Sequence, residues 1–375
     1  MPAPRSARIQ DHFAPLTDPR RRRVVYPLIN IVTIAVCAVV AGADDFVSIA
    51  EYGRKKRLWL SRFLDLSAGI PSHDRFNAVL GALRPAEFER CLLSWITALH
   101  ELTDGQVVAI DGKALRRSFD AATSKSAIHM VSAWATANHI SLGQVVVDER
   151  SNEITAIPKL LRLLELSGCL VTIDAMGCQT EIAREVITAG ADYVLAVKAN
   201  QPTLYDGIEA FFLDHFEDDF ARVKVSRHET RERGHGRQEH RWYFVCEAPD
   251  DLPDRDRWPG LASIGVAISE TVRGGKPCGD VRYYILSKRL SGRRFGAAVR
   301  SHWSIENRLH WQLDVTFQED QCRVRKGHAD ANLSALRRTA LSLLKNNTTL
   351  KVGIKNKRLA AAWDDSYLEQ VLFGQ

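Results

Sequence analysis

Paired cysteines at metal-binding or disulfide spacing are missing from this 375-residue chain. Its seven cysteines are scattered, odd in number and never arranged as CxxC. That excludes a zinc ribbon and a disulfide framework, and fits a reducing cytoplasm. No GK[ST] at the required spacing occurs, so the RGGKP stretch and the GHGR at residues 234–237 do not make a phosphate-binding loop. Internal repeats and low-complexity segments are absent as well. Only one long apolar run exists, residues 24–43, following the arginines at 20–23. It holds Pro27, Asn30 and Thr33, ends at Asp44 and Asp45, and at about 20 residues barely reaches across a bilayer. It reads as a buried helix in an N-terminal helical unit, with membrane insertion as the alternative.

What is present begins with ordinary globular composition, 45% apolar and 26% charged. The length allows two or three units. The net charge of +6 is unevenly placed: residues 288–358 hold sixteen Lys and Arg against five Asp and Glu. Residues 107–287 are net negative. A basic C-terminal third beside an acidic centre suits a polyanion lying over a cation site, or else a solvated charged face.

Residues 1–104 read as an N-terminal helical domain. Ser72 is placed as a helix cap, and residues 54–57 form a basic patch that is either a solvated face or a nucleic-acid contact. At Gln106 the pattern changes. QVVAID, CLVTIDA and DYVLAVKAN are short buried strands, AIHMVSAWATA and ISLGQVVVDE form a hairpin turning near Asn138, and AIPKLLRLLEL and QTEIAREVITAG are helices. This order predicts an α/β fold, a mixed sheet flanked by helices, over residues 105–350. A β-rich insertion at about 217–288 interrupts it, and residues 351–375 are a C-terminal tail.

The stretch VRSHWSIENRLHWQLDVTFQEDQCRVR, residues 299–325, reads as one helix. Glu306 has His302 four residues before it and His310 four after, so the three share a stripe. HxxxExxxH is not HExxH, which disfavours zinc. Glu306 is either a surface acid paired with His or Arg308, or a metal ligand needing acidic partners. Asp111 and Asp174 are the candidates, because each closes a buried strand, where ligands of open α/β sheets gather. Three such carboxylates can hold two Mg²⁺ or Mn²⁺ ions about 3.5–4 Å apart for phosphodiester chemistry. By spacing alone the three acids are a weak motif.

AIDGKALRRS, DERSNEITAIPKLL, VTIDAMGCQ, DYVLAVKANQPTL, HETRERGHGRQEHR and HWSIENRLHWQLDVTFQEDQCRVRKGHADANLSALRR together resemble the DDE transposases of bacterial insertion sequences, in particular the H-repeat-associated group. The resemblance spans essentially the whole chain. It implies an RNase H-like catalytic core with a β-strand insertion, Mg²⁺ or Mn²⁺ as cofactor, and metal-dependent DNA cleavage and strand transfer at the element's own ends. It implies double-stranded DNA as partner, a homodimer or higher assembly on DNA, and a cytoplasmic, nucleoid-associated location. Residue by residue, Asp111, Asp174 and Glu306 match the catalytic, metal-holding acids. Related enzymes carry Y-x2-R-x3-E-x6-K around the Glu, whereas Val299, His302, Glu306 and Leu313 stand here. Arg300, His302 and Arg308 are therefore the candidates for phosphate contacts on that stretch. Lys113, Arg116 and Arg117 after the first strand, Lys198 and Asn200 after the third, and His235 and Arg237 in the insertion complete the expected DNA-binding set. Trp303 and Trp311 are expected to be core or helix-packing residues, with base stacking as the alternative. A nuclease of the same fold that does not join ends, and an inactive DNA-binding descendant, are the alternatives.

Overall fold

The computed structural model describes residues 8–21, 24–99, 106–115, 128–137, 139–147, 152–234, 237–273 and 276–373. Six helices open the chain: α1 (Ile9–Phe13), α2 (Leu28–Val40), α3 (Phe46–Lys55), α4 (Arg57–Leu60), α5 (His73–Ala82) and α6 (Pro85–Leu99). Then come β1 (Val107–Leu115), β2 (Ile128–Ala135), β3 (Ile140–Val147), α7 (Glu153–Leu161), β4 (Leu170–Ile173), α8 (Thr180–Thr188), β5 (Asp192–Val197) and α9 (Pro202–Glu217). Four long strands follow, β6 (Val225–Gly234), β7 (Arg237–Glu247), β8 (Ser263–Arg273) and β9 (Lys276–Leu286). The chain closes with α10 (Gly292–Ile305), a π-helical turn (Glu306–His310), α11 (Trp311–Val315), α12 (Ala329–Asn346), α13 (Ile354–Trp363) and α14 (Asp365–Phe373).

The chain forms two compact units. One comprises residues 103–111 and 150–305. Its strands run in the order β1-β4-β5-β9-β8-β7-β6. β1, β4 and β5 are mutually parallel, and each later neighbour is antiparallel. The β-rich insertion expected from the alternating, charge-rich sequence is thus a four-stranded antiparallel extension of the sheet. Helix α10 packs over it: Phe295, Ala298 and Val299 join Tyr243, Val245, Tyr284 and Leu286 in one buried cluster. The approach is close enough to need glycine. A Cβ on Gly296 would stand 2.8 Å from the Tyr243 ring, and one on Gly265 2.8 Å from Phe295.

The other unit comprises residues 1–102, 112–149 and 306–375. The end of β1 lies beside the β2–β3 hairpin, in the order β3-β2-β1. Asn138, the expected turn residue of that hairpin, lies outside the described residues. The axis of this unit is α12, buried along its whole length from Ala329 to Leu344. Several of its polar side chains bond to backbone and side chains of the surrounding segments. Asn332 donates to the Leu80 and Leu83 carbonyls at 2.7 and 3.0 Å, and Arg337 to the Asp44 carbonyl at 2.9 Å. The apolar run of residues 24–43 supplies α2, thirteen residues long and buried from Asn30 onward. Among the described residues no helix is long and apolar enough to cross a membrane. Residues 351–375 carry α13 and α14, with Ala361, Leu368, Val371 and Leu372 buried.

Two expectations change here. The single helix across residues 299–325 is broken at its key residue, because α10 ends at Ile305 and Glu306 starts a π-helical turn. A wider turn rotates the residues downstream of it, so the stripe does not persist: His302 is buried, Glu306 exposed and His310 half-buried. Trp303 and Trp311 are not core residues but 38% and 52% exposed.

Candidate active site

The strand register of the first unit creates the site. β1 and β4 pair in parallel, with Val107 opposite Leu170 and Ile110 opposite Ile173. The next residue on each strand is Asp111 and Asp174, so the two acids occupy matched positions on neighbouring strands, which run about 4.8 Å apart. Side chains alternate along a strand, and matched positions on parallel neighbours face the same way. The buried Ile110 and Ile173 therefore point to one face, and the half-exposed aspartates to the other. Backbone at Asp174 remains extended, and its Oδ1 accepts from the Gly177 amide at 3.3 Å, capping a tight turn over Ala175–Gly177. That turn requires glycine, since a Cβ on Gly177 would stand 2.3 Å from Ile173. Asn200 Nδ2 donates to the Ala175 carbonyl at 2.7 Å and Gln201 Nε2 to the Cys178 carbonyl at 3.0 Å, tying the loop after β5 to the turn that carries Asp174.

Thr172 shares a face with Asp174, and α10 covers that face. Thr172 Oγ1 and His302 Nδ1 are 3.2 Å apart. Burial pushes the His302 imidazole down to about 4, partly opposed by the Asp174 carboxylate. Between strand and helix opens a cavity of about 450 Å³, lined by Asp174, Lys198, Tyr205, Arg282, His302 and Trp303 among others. The Arg282 guanidinium sits 4.2 Å above the Trp303 ring, which explains why this exposed tryptophan is held in place.

The other unit contains Glu306, exposed at the head of the π-helical turn, and the basic groups around it. Lys113 is not on the surface. Its side chain is 8% exposed and pairs with Asp314 and with Glu319, the latter at 2.9 Å. Burial raises the Glu319 carboxyl, but the Lys113, Arg338 and Arg337 charges outweigh it and hold it down at about 2. Ser334 Oγ donates to Glu319 at 2.6 Å, and Arg338 reaches Ser334 and Gln144. Desolvation pushes His310, beside these groups, down to about 3.

The expected DNA contacts divide accordingly. Lys198 is exposed on the cavity beside Asp174, and Asn200 is exposed on the loop that bonds the Asp174 turn. Arg308 is exposed two residues after Glu306. Arg300 is exposed but bound bidentately by Glu232 at 2.5 and 3.0 Å. Lys113 and His302 are corrections: one is locked in a buried ion pair and the other is buried against Thr172, so neither presents itself to a backbone phosphate. Arg116, Arg117 and His235 lie outside the described residues, as does the side chain of Arg237, whose backbone opens β7. The basic segment is also partly internal. Arg337, Arg338, Lys357 and Arg358 are 2–7% exposed, and Arg358 pairs with Asp44 at 2.8 Å.

Sequence reading missed Thr172, Arg282 and the Lys113 cluster. Only the position of Thr172, two residues before Asp174 and hence on its face, offered a signal. Paired aspartates give hard oxygen donors that suit Mg²⁺ or Mn²⁺. Among the described residues no group of three or more His, Cys, Asp or Glu is placed to hold a metal ion, so the fit rests on the Asp111–Asp174 pair.

Acids at the ends of the central parallel strands of a mixed sheet define an α/β protein with its candidate site at the strands' carboxyl edge. Residues 102–343 match the transposase DDE domain, and residues 10–96 the DDE_Tnp_1-associated region. The H repeat-associated protein YhhI of Escherichia coli (strain K12) is 38% identical over 98% of each chain. YncI of Escherichia coli O157:H7 is 40% identical, over 96% of this chain and 93% of that one. A structure of the piggyBac transposase synaptic complex with hairpin DNA aligns with a TM-score of 0.43 at 10% identity, over 94% of this chain and 75% of that one. The chain belongs to the DDE transposase family, whose domain implies polynucleotidyl transfer and whose members are typically metal-dependent.

Proposed function

We propose that this protein is an insertion-sequence transposase that cleaves DNA at the ends of its own element and joins those ends to a target. Asp111, Asp174 and Glu306 are its catalytic acids, double-stranded DNA its partner, and a dimer or higher assembly on DNA its working form. The observation that carries this reading is the register of β1 and β4, which sets Asp111 beside Asp174. Two further features support it. Glu306 is exposed at the head of its π-helical turn, with its carboxylate open to solvent-side ligands. The catalytic-domain match spans all three acids.

Asp111 and Asp174 would hold the cofactor from the rigid strand ends, with Glu306 supplying the third carboxylate. Bound Mg²⁺ or Mn²⁺ supplies activation of an attacking hydroxyl and stabilisation of the leaving oxygen. In each step the attacking hydroxyl gives up its proton as its oxygen bonds to phosphorus, the old P–O bond breaks, and the leaving 3′ oxygen takes up a proton. His302, kept neutral by burial, adds no positive charge beside Asp174. Thr172 and Asn200 fix the helix and turn around that acid.

The test is cleavage and strand transfer on a duplex carrying the DNA that flanks the gene, with Mg²⁺. Asp111→Asn, Asp174→Asn and Glu306→Gln keep shape but lose the charge that holds a cation. Each is expected to abolish both reactions while leaving the fold and most DNA binding in place. Wild-type cleavage without joining would indicate the nuclease, and binding without cleavage the inactive descendant. Full activity in any one variant removes that residue from the mechanism.

A further inference from the structure

Beside Glu306, the second unit gathers cations. Arg308 stands exposed on the π-helical turn, and its Nη1 donates to His139 Nε2 at 3.4 Å. His139 ends the turn between β2 and β3 with left-handed backbone, φ 54°, which directs its ring back over the hairpin. That ring stacks on Trp134 at 6.1 Å, and Lys345 of α12 lies 5.2 Å above the same tryptophan. Three elements thus bring His139 and Lys345 to one indole and Arg308 to that histidine. Among the described residues neither Arg308 nor Lys345 has a carboxylate partner. Arginines of the first unit do have one: exposed Arg300 is taken by Glu232 and half-buried Arg282 by Asp280.

The electrostatics agree. Desolvation pulls Lys345 down to about 7, and the charge acting on it is that of Arg308. Desolvation pulls His139 down to about 4, and the charges acting on it are those of Lys345 and Arg308. Mutually repelling cations cost stability, and a fold keeps such a site where an anion completes it.

We infer that Arg308 and Lys345, with His139 orienting Arg308, form a binding site for a phosphodiester of the DNA backbone, next to Glu306. The site takes over the role of the Arg and Lys that the related motif carries at positions held here by His302 and Leu313. The phosphate's two non-bridging oxygens accept from the guanidinium and the ammonium, which no described acid of the unit engages. The inference rests on the DNA-joining function proposed above, but its test reads binding without metal or cleavage, so either can fail alone.

The experiment is equilibrium binding of an element-end duplex and of an unrelated duplex of equal length, across a salt series without divalent metal. The proteins are wild type, Arg308→Gln, Lys345→Met, the double variant, and the charge-keeping Arg308→Lys and Lys345→Arg. Each neutral variant is expected to weaken both duplexes about tenfold near 0.1 M salt and to lower the log–log salt slope by about 1, because a backbone contact carries no sequence information. The charge-keeping variants should recover the slope. Melting temperature should stay level or rise in Lys345→Met, since removing one of two repelling cations relieves the unit, whereas a cation with only a packing role would lower it. Inorganic phosphate separates a free anion from a backbone phosphate. A DNA site is competed no better by phosphate than by chloride of equal ionic strength. Phosphate bound specifically, with duplex affinity unchanged in the variants, would overturn the inference, as would a double variant with the wild-type slope.

Discussion

Ile110 on β1 lies directly opposite Ile173 on β4, and the residue after each is an aspartate. Because the strands are parallel, the isoleucines fix the acids: both apolar side chains are at most 2% exposed, so a slip of either strand by one residue would turn its isoleucine out and its carboxylate in. The pair is therefore held by the core beneath it. Its position owes nothing to a flexible loop.

The cavity beside Asp174 contains Trp303, which gives cation binding an optical readout. Mn²⁺ is expected to quench the fluorescence lost on Trp303→Phe, and Asp174→Asn should abolish that quenching at unchanged melting temperature. Removing the metal with a chelator should restore the emission. Equal quenching in Asp174→Asn would move the cation away from this strand end.

Lys113 provides a different kind of test, since it comes two residues after Asp111 and looks like a DNA contact in the sequence. Its ammonium is committed to Asp314 and to Glu319, whose side chain is 1% exposed. Lys113→Met should leave Glu319 buried without its partner and cost about 3–5 kcal/mol. Lys113→Met combined with Glu319→Leu should cost less than the two single changes added. The salt slope of DNA binding should not move. A stable Lys113→Met with a reduced slope would return this lysine to the DNA interface.

The buried arginines of α12 and α13 obey the same logic. Arg337 and Arg338 are each 2% exposed and Arg358 5%. Replacing any of them by methionine should lower the denaturation midpoint, with the salt slope unchanged in the protein that stays folded. A lowered slope at constant stability would mean that these side chains reach DNA after all.

The strands, the hairpin and the acids at the strand ends were legible in the sequence because short apolar runs closed by Asp have few other readings. The break at Glu306 was not. A π-helical turn inserts no proline or glycine, and the apolar spacing of Leu309 and Leu313 continues helically through it. Charge misled for a related reason. In sequence a buried Arg338 and an exposed Arg308 count alike, and only packing shows that α12 is enclosed on all sides. Lys113 was lost in the same way, since its partners Asp314 and Glu319 lie some 200 positions away.

Glu89 on α6 gives a pH test with a definite sign. Desolvation raises its carboxyl to about 8, against the opposing charge of Arg338 and a backbone hydrogen bond from Gln144. In the unfolded chain the group ionises near 4.3, so between roughly pH 4.5 and 8 the folded protein holds a proton that the unfolded chain has released. Stability contributed by that group is then complete below about pH 4.5 and is lost as pH rises toward 8, by at most about 1.4 kcal/mol per pH unit. Glu89→Gln keeps the protonated shape and has no proton to lose. Its melting temperature relative to wild type should rise progressively from pH 5 to 8 and hold a constant margin beyond. His302, buried, and His310, half-buried, are held at about 4 and 3 and act with the opposite sign below about pH 6.5, but they are common to both proteins and cancel in the difference. Melting temperatures of the two proteins measured in parallel from pH 5 to 8.5 decide the matter. A difference that does not change over that range would mean that Glu89 is ionised throughout in the folded protein and that Arg338 compensates its burial.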